Sequence, residues 1–389
     1  MKRLLLPILF LASLSLRAQD IPEMPVLPRL SDSAFASVLT CGPGDEFYTA
    51  FGHSAIRVCD STQDIDMVYN YGTFDFGAPH FYWTFARGNL NYYQSRESYT
   101  SFLWCYGYEG RYVYQQRLRL SNQELNNLFT ALEVNNLPEY RYYMYDFFRD
   151  NCATRVRDMV SDALCHRTLA PEAVNDTNYT YRDMVTLHTD GPLRWWRFII
   201  DMALGIRCDH RCSNYEYMFS PIEMMAVLDT LQVSDTQQPL VSPAEQLLPE
   251  TRTPLPDIIS PYLTFLLLFV VVLALTLLGW RKGWKLRWLD IILYSIMFLA
   301  SLLILFLWFF SAHYCAKVNL NILWASPLLL YFIIRGDKAK RWMTYLQCAM
   351  LVAAIVITFV ALPQKMNAAV LWIALTLLVR LLAPISLKS

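Results

Sequence analysis

The sequence predicts two architectures in one chain: a mixed α+β domain held outside the cytoplasm, followed by an all-α domain of five membrane-crossing helices. Three observations carry that reading. Only 17% of the 389 residues are charged and 55% are hydrophobic, where a soluble domain carries about a quarter charged residues. The long apolar runs crowd into the last third of the chain. The N-terminus has the charge, apolar core and small-residue layout of an export signal.

Taken in order, Met1, Lys2 and Arg3 precede an apolar run from Leu4 to Leu14 and the small residue Ala18, which predicts a signal peptide over 1–18. Residues 20–233 are mixed polar and aromatic, rich in Tyr, and of a size suited to one folded domain. A Gln-, Ser-, Thr- and Pro-containing stretch without a clear period, 234–257, predicts a tether. The membrane domain, 258–389, contains five apolar segments: Tyr262 to Trp280, Ile291 to Ala312, Val318 to Ile334, Met343 to Leu362, and Met366 to about Leu387. Each comes near the length of roughly 20 residues that a helix needs to cross a bilayer. Arg281, Lys282, Lys285 and Arg287 crowd one turn, and Arg335, Lys338, Lys340 and Arg341 another, while the intervening loops carry only Lys317 and Lys365. The positive-inside rule then puts the basic loops and the C-terminus in the cytoplasm, and the large domain outside. The signal peptide predicts the same orientation independently.

With 33 basic and 33 acidic residues the chain lacks the basic footprint of a nucleic-acid binder. Seven of its nine cysteines fall in the exported part: Cys41, Cys59, Cys105, Cys152, Cys165, Cys208 and Cys212. Cys315 and Cys348 fall in the membrane part. An oxidising compartment permits disulfides, and an odd count leaves at least one thiol unpaired. Cys208 and Cys212 bracket Asp209, His210 and Arg211; a local disulfide or free thiols fit that spacing better than a metal clip with one intervening His.

Cys152 has the setting of a nucleophile. Val156, Met159, Val160 and Ala163 fall on one helical face, and Asp150 or Asn151 is a natural N-cap, so Cys152 opens a helix. Unpaired N–H groups and the helix dipole there favour the thiolate. A small cysteine packed under a helix start is the plain structural alternative. Upstream, Ala50 to Val58 and Asp66 to Gly72 read as the two strands of a hairpin, with Cys59 to Ile65 between them. A turn centred near residue 62 sets Asn70 and Tyr71 opposite Ser54 and His53, and a slip of one residue brings Asn70 directly across from His53. Asn70 is therefore the candidate to orient the imidazole, with Tyr71 and Asp75 in reserve.

A His leading a strand, then an Asn-Cys opening a helix about a hundred residues later, resembles the circularly permuted NlpC-type papain-like fold of lecithin:retinol acyltransferase and its relatives. The strings Phe51 to Val58, Tyr69 to Phe76 and Arg149 to Arg157, joined to a five-helix membrane unit, resemble the bacterial Lnb family of lipoprotein N-acyltransferases. Ser311, Ala312, His313 and the run Asn319 to Trp324 are similar to the polar cluster of that family's second module. The resemblance implies Cys152 as nucleophile, His53 as general base and acid, and Asn70 as orienter. It further implies transfer of a fatty acyl group from a phospholipid, through a thioester, to the α-amine of a diacylated lipoprotein at the inner membrane. No metal or organic cofactor is needed for that chemistry.

His313, Asn319, Asn321 and Trp324 are expected at the outer ends of the second and third spans. Two readings fit them: a polar cavity for a lipid headgroup or the acceptor amine, or loop residues at headgroup level. The aromatic stretches Phe81 to Phe85 and Leu193 to Ile200 fit core packing or an acyl-contacting surface. Two other functions compete with acyl transfer: a tethered peptidoglycan peptidase or amidase of the NlpC type, and a non-enzymatic membrane scaffold.

Overall fold

A computed structural model describes residues 27–164, 179–233, 235–253 and 255–386. The expected signal peptide and Cys165 lie outside the described residues. The first unit is built on an antiparallel sheet of seven strands: β1 (Phe35–Cys41), β2 (His53–Asp60), β3 (Ile65–Thr73), β4 (Asn91–Ser98), β5 (Val113–Arg117), β6 (Tyr142–Met144) and β7 (Glu245–Leu248), in the order β6-β4-β3-β2-β1-β5-β7. Alternation in the central strands gives the sheet two apolar faces. Ala36, Val38, Ile56, Val58, Tyr69 and Tyr71 face one core, and Leu39, Cys41, Ala55 and Val68 the other.

Helices cover both faces. α1 (Phe81–Ala86) and α2 (Tyr99–Tyr108) flank β4, and α2 packs Phe102 onto the second core. α3 (Asn122–Asn135) and α4 (Cys152–Ala163) pack Leu125, Leu128 and Leu132, and Ala153, Val156 and Val160, onto the first. Each begins with a capping box, Ser121 with Glu124 and Asn151 with Thr154, which satisfies the orphan N–H groups of a helix start. Four further helices complete this unit: α5 (Tyr181–His188), α6 (Arg194–Ala203), α7 (Asn214–Tyr217) and α8 (Pro221–Leu228).

The stretch expected as a loose tether is instead partly structural. Leu240 and Val241 are buried, and β7 adds to the free edge of β5. A few apolar residues in polar surroundings carry no periodic signal, yet an open sheet edge captures them.

The helical unit comprises α9 (Pro261–Lys282), α10 (Arg287–Phe309), α11 (Leu329–Arg335), α12 (Arg341–Val360) and α13 (Val370–Ser386). Among the described residues α9, α10 and α12 are long and apolar enough to cross a membrane, and α13 is a shorter apolar helix. The expected third span is not a continuous helix. It runs as a 3-10 turn, Leu320–Leu323, an irregular stretch through Ser326 and Pro327, and then α11. Its far end meets the start of α10, where Arg287 donates to the carbonyls of Phe332 and Ile333. Proline cannot continue a helix from the preceding turn, and protein groups, not lipid, satisfy the broken backbone. Asp290 and Arg380 form a buried ion pair at 2.7 Å, with Arg380 also donating to Thr276 at 3.0 Å.

Candidate active site

Cys152 is the first residue of α4, directly after the N-cap Asn151. The Asn151 side chain accepts from Thr154 N–H at 2.9 Å and donates to the carbonyls of Phe147 and Phe219 at 2.7 and 2.9 Å. The helix start is thereby fixed to two loops. Backbone N–H groups of Ser54, Ala153 and Cys152 converge on the sulfur. Ser54 belongs to β2 and follows His53. The β2–β3 ladder ends at Ala55↔Asn70, and one residue beyond that end the Ser54 N–H meets the thiol.

The register differs slightly from the expected one: Asn70 lies opposite Ala55, not His53 or Ser54. Since side chains alternate, Asn70 shares the face of His53 and reaches it diagonally. His53 Nε2 and Asn70 Oδ1 are 3.1 Å apart, and Asn70 Nδ2 donates to Glu97 Oε1 at 3.0 Å. Glu97 fixes the amide, because a carboxylate only accepts. Asn70 Oδ1 then accepts from His53 Nε2–H, which leaves Nδ1 as the basic atom of the ring. Tyr71 lies on the opposite face with its hydroxyl on Asn135 at 2.8 Å, and Asp75 caps Gly77 N–H at 2.7 Å; neither reserve candidate orients the imidazole.

Electrostatics set a neutral resting pair. Burial depresses His53 from 6.5 to about 4, with the Asn70 bond opposing and the Arg111 charge assisting. Burial also raises the Cys152 thiol, outweighing the three N–H groups and Arg111, which act the other way. The resting thiolate expected from the helix start is therefore not favoured, because enclosure of the sulfur costs more than those dipoles return. Arg111 is anchored by donation to Gly42 carbonyl at 2.7 Å and lies 4.7 Å from the Tyr106 ring centre. Tyr106 in turn stacks at 6.4 Å on His53. Glu97, Tyr106 and Arg111 escaped the sequence reading. They sit on β4, α2 and the approach to β5, remote in sequence from both His53 and Cys152 and without a recognisable motif.

Gly72 lies beside the Cys152 side chain. It has φ +84°, and a Cβ there would lie 3.5 Å from Cys152 Cβ and 3.7 Å from Tyr145. From Tyr145 aromatic rings lead away from the thiol: Tyr92 at 4.1 Å, Phe74 at 5.2 Å, then Phe76 and Phe81. Phe85, stacked 6.3 Å from Phe81, meets His313, and Trp83 packs on Phe306 of α10 at 5.5 Å.

The polar residues of the helical unit do not gather beside Cys152. His313 Nε2 lies 3.1 Å from the carbonyl of Phe85. Asn319 donates to Met202 and Ala203 carbonyls at 2.8 and 3.1 Å, and Asn321 to the Asp201 carbonyl at 2.9 Å. Trp324 donates to Asn321 Oδ1 at 2.8 Å. Gln364 and Asn367, not singled out in the sequence, join them by donating to Leu204 carbonyl and Asp201 Oδ2. These amides clasp the end of α6, so their hydrogen bonds hold the two units together. Among the described residues, no group of three His, Cys, Asp or Glu side chains is placed to hold a metal ion.

Comparison with known families fits both units. The model of the Lnb N-terminal periplasmic domain matches residues 29–191, and that of the Lnb transmembrane domain matches residues 253–389. The chain belongs to the Lnb family. This makes it a multi-pass membrane protein with a periplasmic N-terminal domain, in a family of lipoprotein-modifying acyltransferases. No curated protein and no solved structure matches it.

Proposed function

We propose that this Lnb protein moves a fatty acyl group from a phospholipid, through a Cys152 thioester, to the α-amine of a diacylated lipoprotein. Its periplasmic domain, a permuted papain-like unit in this reading, works at the outer face of the inner membrane, with the C-terminus in the cytoplasm. What supports the reading is the set of three backbone N–H groups that favour the Cys152 thiolate, one of them from Ser54, the residue after the Asn70-bonded His53. His53 Nδ1 takes the thiol proton as the sulfur attacks the ester carbonyl, and the N–H groups receive the developing oxyanion. The tetrahedral intermediate collapses to the thioester, and the lysophospholipid alcohol leaves with the proton from His53. The acceptor amine then attacks the thioester, His53 takes the amine proton, and the amide departs as the thiol is restored.

The aromatic run from Tyr145 to Trp83 and Phe306 supports a lipid donor, since it joins the thiol's surroundings to a membrane-length helix. Rings of that kind suit an acyl chain leaving the bilayer. His313, Asn319, Asn321 and Trp324 enter this reading as the seat that sets the height of the periplasmic domain.

The deciding experiment is intact mass of the N-terminal peptide of a reporter lipoprotein in cells with the wild-type protein or Cys152→Ala at matched abundance. Loss of one acyl group from the amine with the variant supports the reading. A fully acylated reporter without a redundant enzyme overturns it, and digestion of purified cell wall would then test the peptidase alternative.

A further inference from the structure

Two thiols far apart in sequence meet where the units join. Cys208 closes the 3-10 turn Ile206–Cys208 of the periplasmic domain, and Cys315 lies in the turn Tyr314–Ala316 just beyond the end of α10. The turns are bonded together: Gly205 N–H donates to Cys315 carbonyl at 2.8 Å and Ile206 N–H to Val318 carbonyl at 3.1 Å. A Cβ at Gly205 would lie 2.1 Å from the Lys317 carbonyl oxygen, so the approach depends on glycine. Cys208 Sγ is 3.8 Å from the Cys315 carbonyl oxygen, so the two cysteines lie side by side. Both side chains are buried in one apolar cluster with Leu204, Tyr181 and Phe219.

Cys315 therefore lies outside the membrane helices, in the loop between the second and third apolar segments. It faces the same compartment as Cys208. The proposed chemistry of Cys152 uses neither, and packing alone would be served by alanine or serine-sized groups.

We propose that Cys208 and Cys315 form a disulfide that covalently joins the periplasmic domain to the transmembrane domain. One thiolate attacks the disulfide of an exported thiol–disulfide oxidase, giving a mixed disulfide and one oxidase thiol. The second cysteine attacks the mixed disulfide and releases the oxidase as its dithiol. Two S–H bonds are lost and one S–S bond forms, while two electrons and two protons pass to the oxidase. The local alternative, Cys208 with Cys212, is less favoured. Cys208 Sγ lies 3.8 Å from the Cys315 carbonyl oxygen, whereas the backbone of Cys212 is bonded to the Tyr179 carbonyl at 2.9 Å. The link also bears on the nucleophile's setting. Tyr314, next to Cys315, lies under the Arg149 guanidinium at 4.0 Å, three residues before Cys152.

The test uses the full-length protein from cell envelopes quenched with N-ethylmaleimide at lysis, before any reductant. Peptide mapping is expected to show one linked species containing Cys208 and Cys315, lighter than the two thiol peptides by two hydrogen atoms and split by reduction. A protease site inserted at the exposed turn after Thr236 gives a second reading. The two fragments should migrate together on a denaturing gel without reductant and separate with it. Cys212→Ser should keep the link, and Cys315→Ser should abolish it and leave Cys208 open to alkylation after denaturation. Recovery of Cys208 and Cys315 as fully alkylated thiols, or a Cys208–Cys212 link, overturns the proposal. Neither result depends on acyl transfer, so failure here leaves the catalytic reading standing.

Discussion

Acidification tests the imidazole most directly, because burial sets its behaviour apart from that of an ordinary histidine. With His53 depressed to about 4, about 97% of the ring is neutral at pH 5.5, against about 9% for one titrating at 6.5. The base therefore survives acidification, and the rate of Cys152 acylation at pH 5.5 should stay within about twofold of that at pH 7.5 rather than fall about tenfold. The assay is single-turnover formation of a hydroxylamine-labile adduct on Cys152 from phospholipid in mixed micelles, read by intact mass. Stability follows the same linkage. Between about 4 and 6.5 the unfolded chain binds the proton and the folded chain does not, so this contribution weakens folding as pH falls through that window. The difference is at most about 3 kcal/mol, and His53→Gln should abolish it. An acid limb with a midpoint between about 6 and 7 in the acylation rate, together with a His53 imidazole NMR titration at the same place, would refute the account of the site.

Three further outcomes are expected. Gly72→Ala forces a side chain into the left-handed region beside Cys152, costing about 1–2 kcal/mol in strain and slowing acylation by about tenfold; unchanged acylation would show that the space over the thiol is not used. Arg380→Leu strands Asp290 and should lower thermal stability in detergent by the equivalent of about 3–5 kcal/mol, whereas the double variant Asp290→Leu with Arg380→Leu should recover most of it. If the single change is tolerated, the buried pair is not holding α9, α10 and α13 together. Asn321→Leu leaves the Trp324 indole N–H and the Asp201 carbonyl short of a partner, for a loss of about 1–3 kcal/mol measured by thermal denaturation. Lost acceptor recognition at unchanged stability would instead make that amide a substrate contact.

Much of the organisation was legible along the chain because its signals are local. The capped, amphipathic start at Asn151 placed Cys152 at a helix start, and the run Ala50 to Val58 placed His53 on a strand. Asn70 was found from hairpin arithmetic alone, with an index sum uncertain by one residue. The observed pairing with Ala55 preserved the conclusion, since a diagonal neighbour still shares the face.

What escaped the sequence depends on distant residues meeting. Glu97 fixes the Asn70 amide and Arg111 biases both reacting groups, yet each reads as an ordinary surface charge on its own segment. The depressed His53 and raised Cys152 came from burial, which outweighs the helix-start dipoles and is invisible before the chain closes around them. Hydropathy overcounted continuous spans because it registers apolar composition and not whether Ser326 and Pro327 break the helix. Likewise, Asn319 and Asn321 fitted either a polar cavity or a headgroup-level loop in the sequence, and only the fold places the end of α6 on their donors. By itself the sequence determined the two units and singled out Cys152, His53 and Asn70 as candidates, because periodicity, capping and alternation act over a few residues. Only the tertiary structure decided the setting of those residues, the seam between the units and the surroundings of Cys208, because those depend on desolvation and on contacts spanning as many as 228 residues of chain.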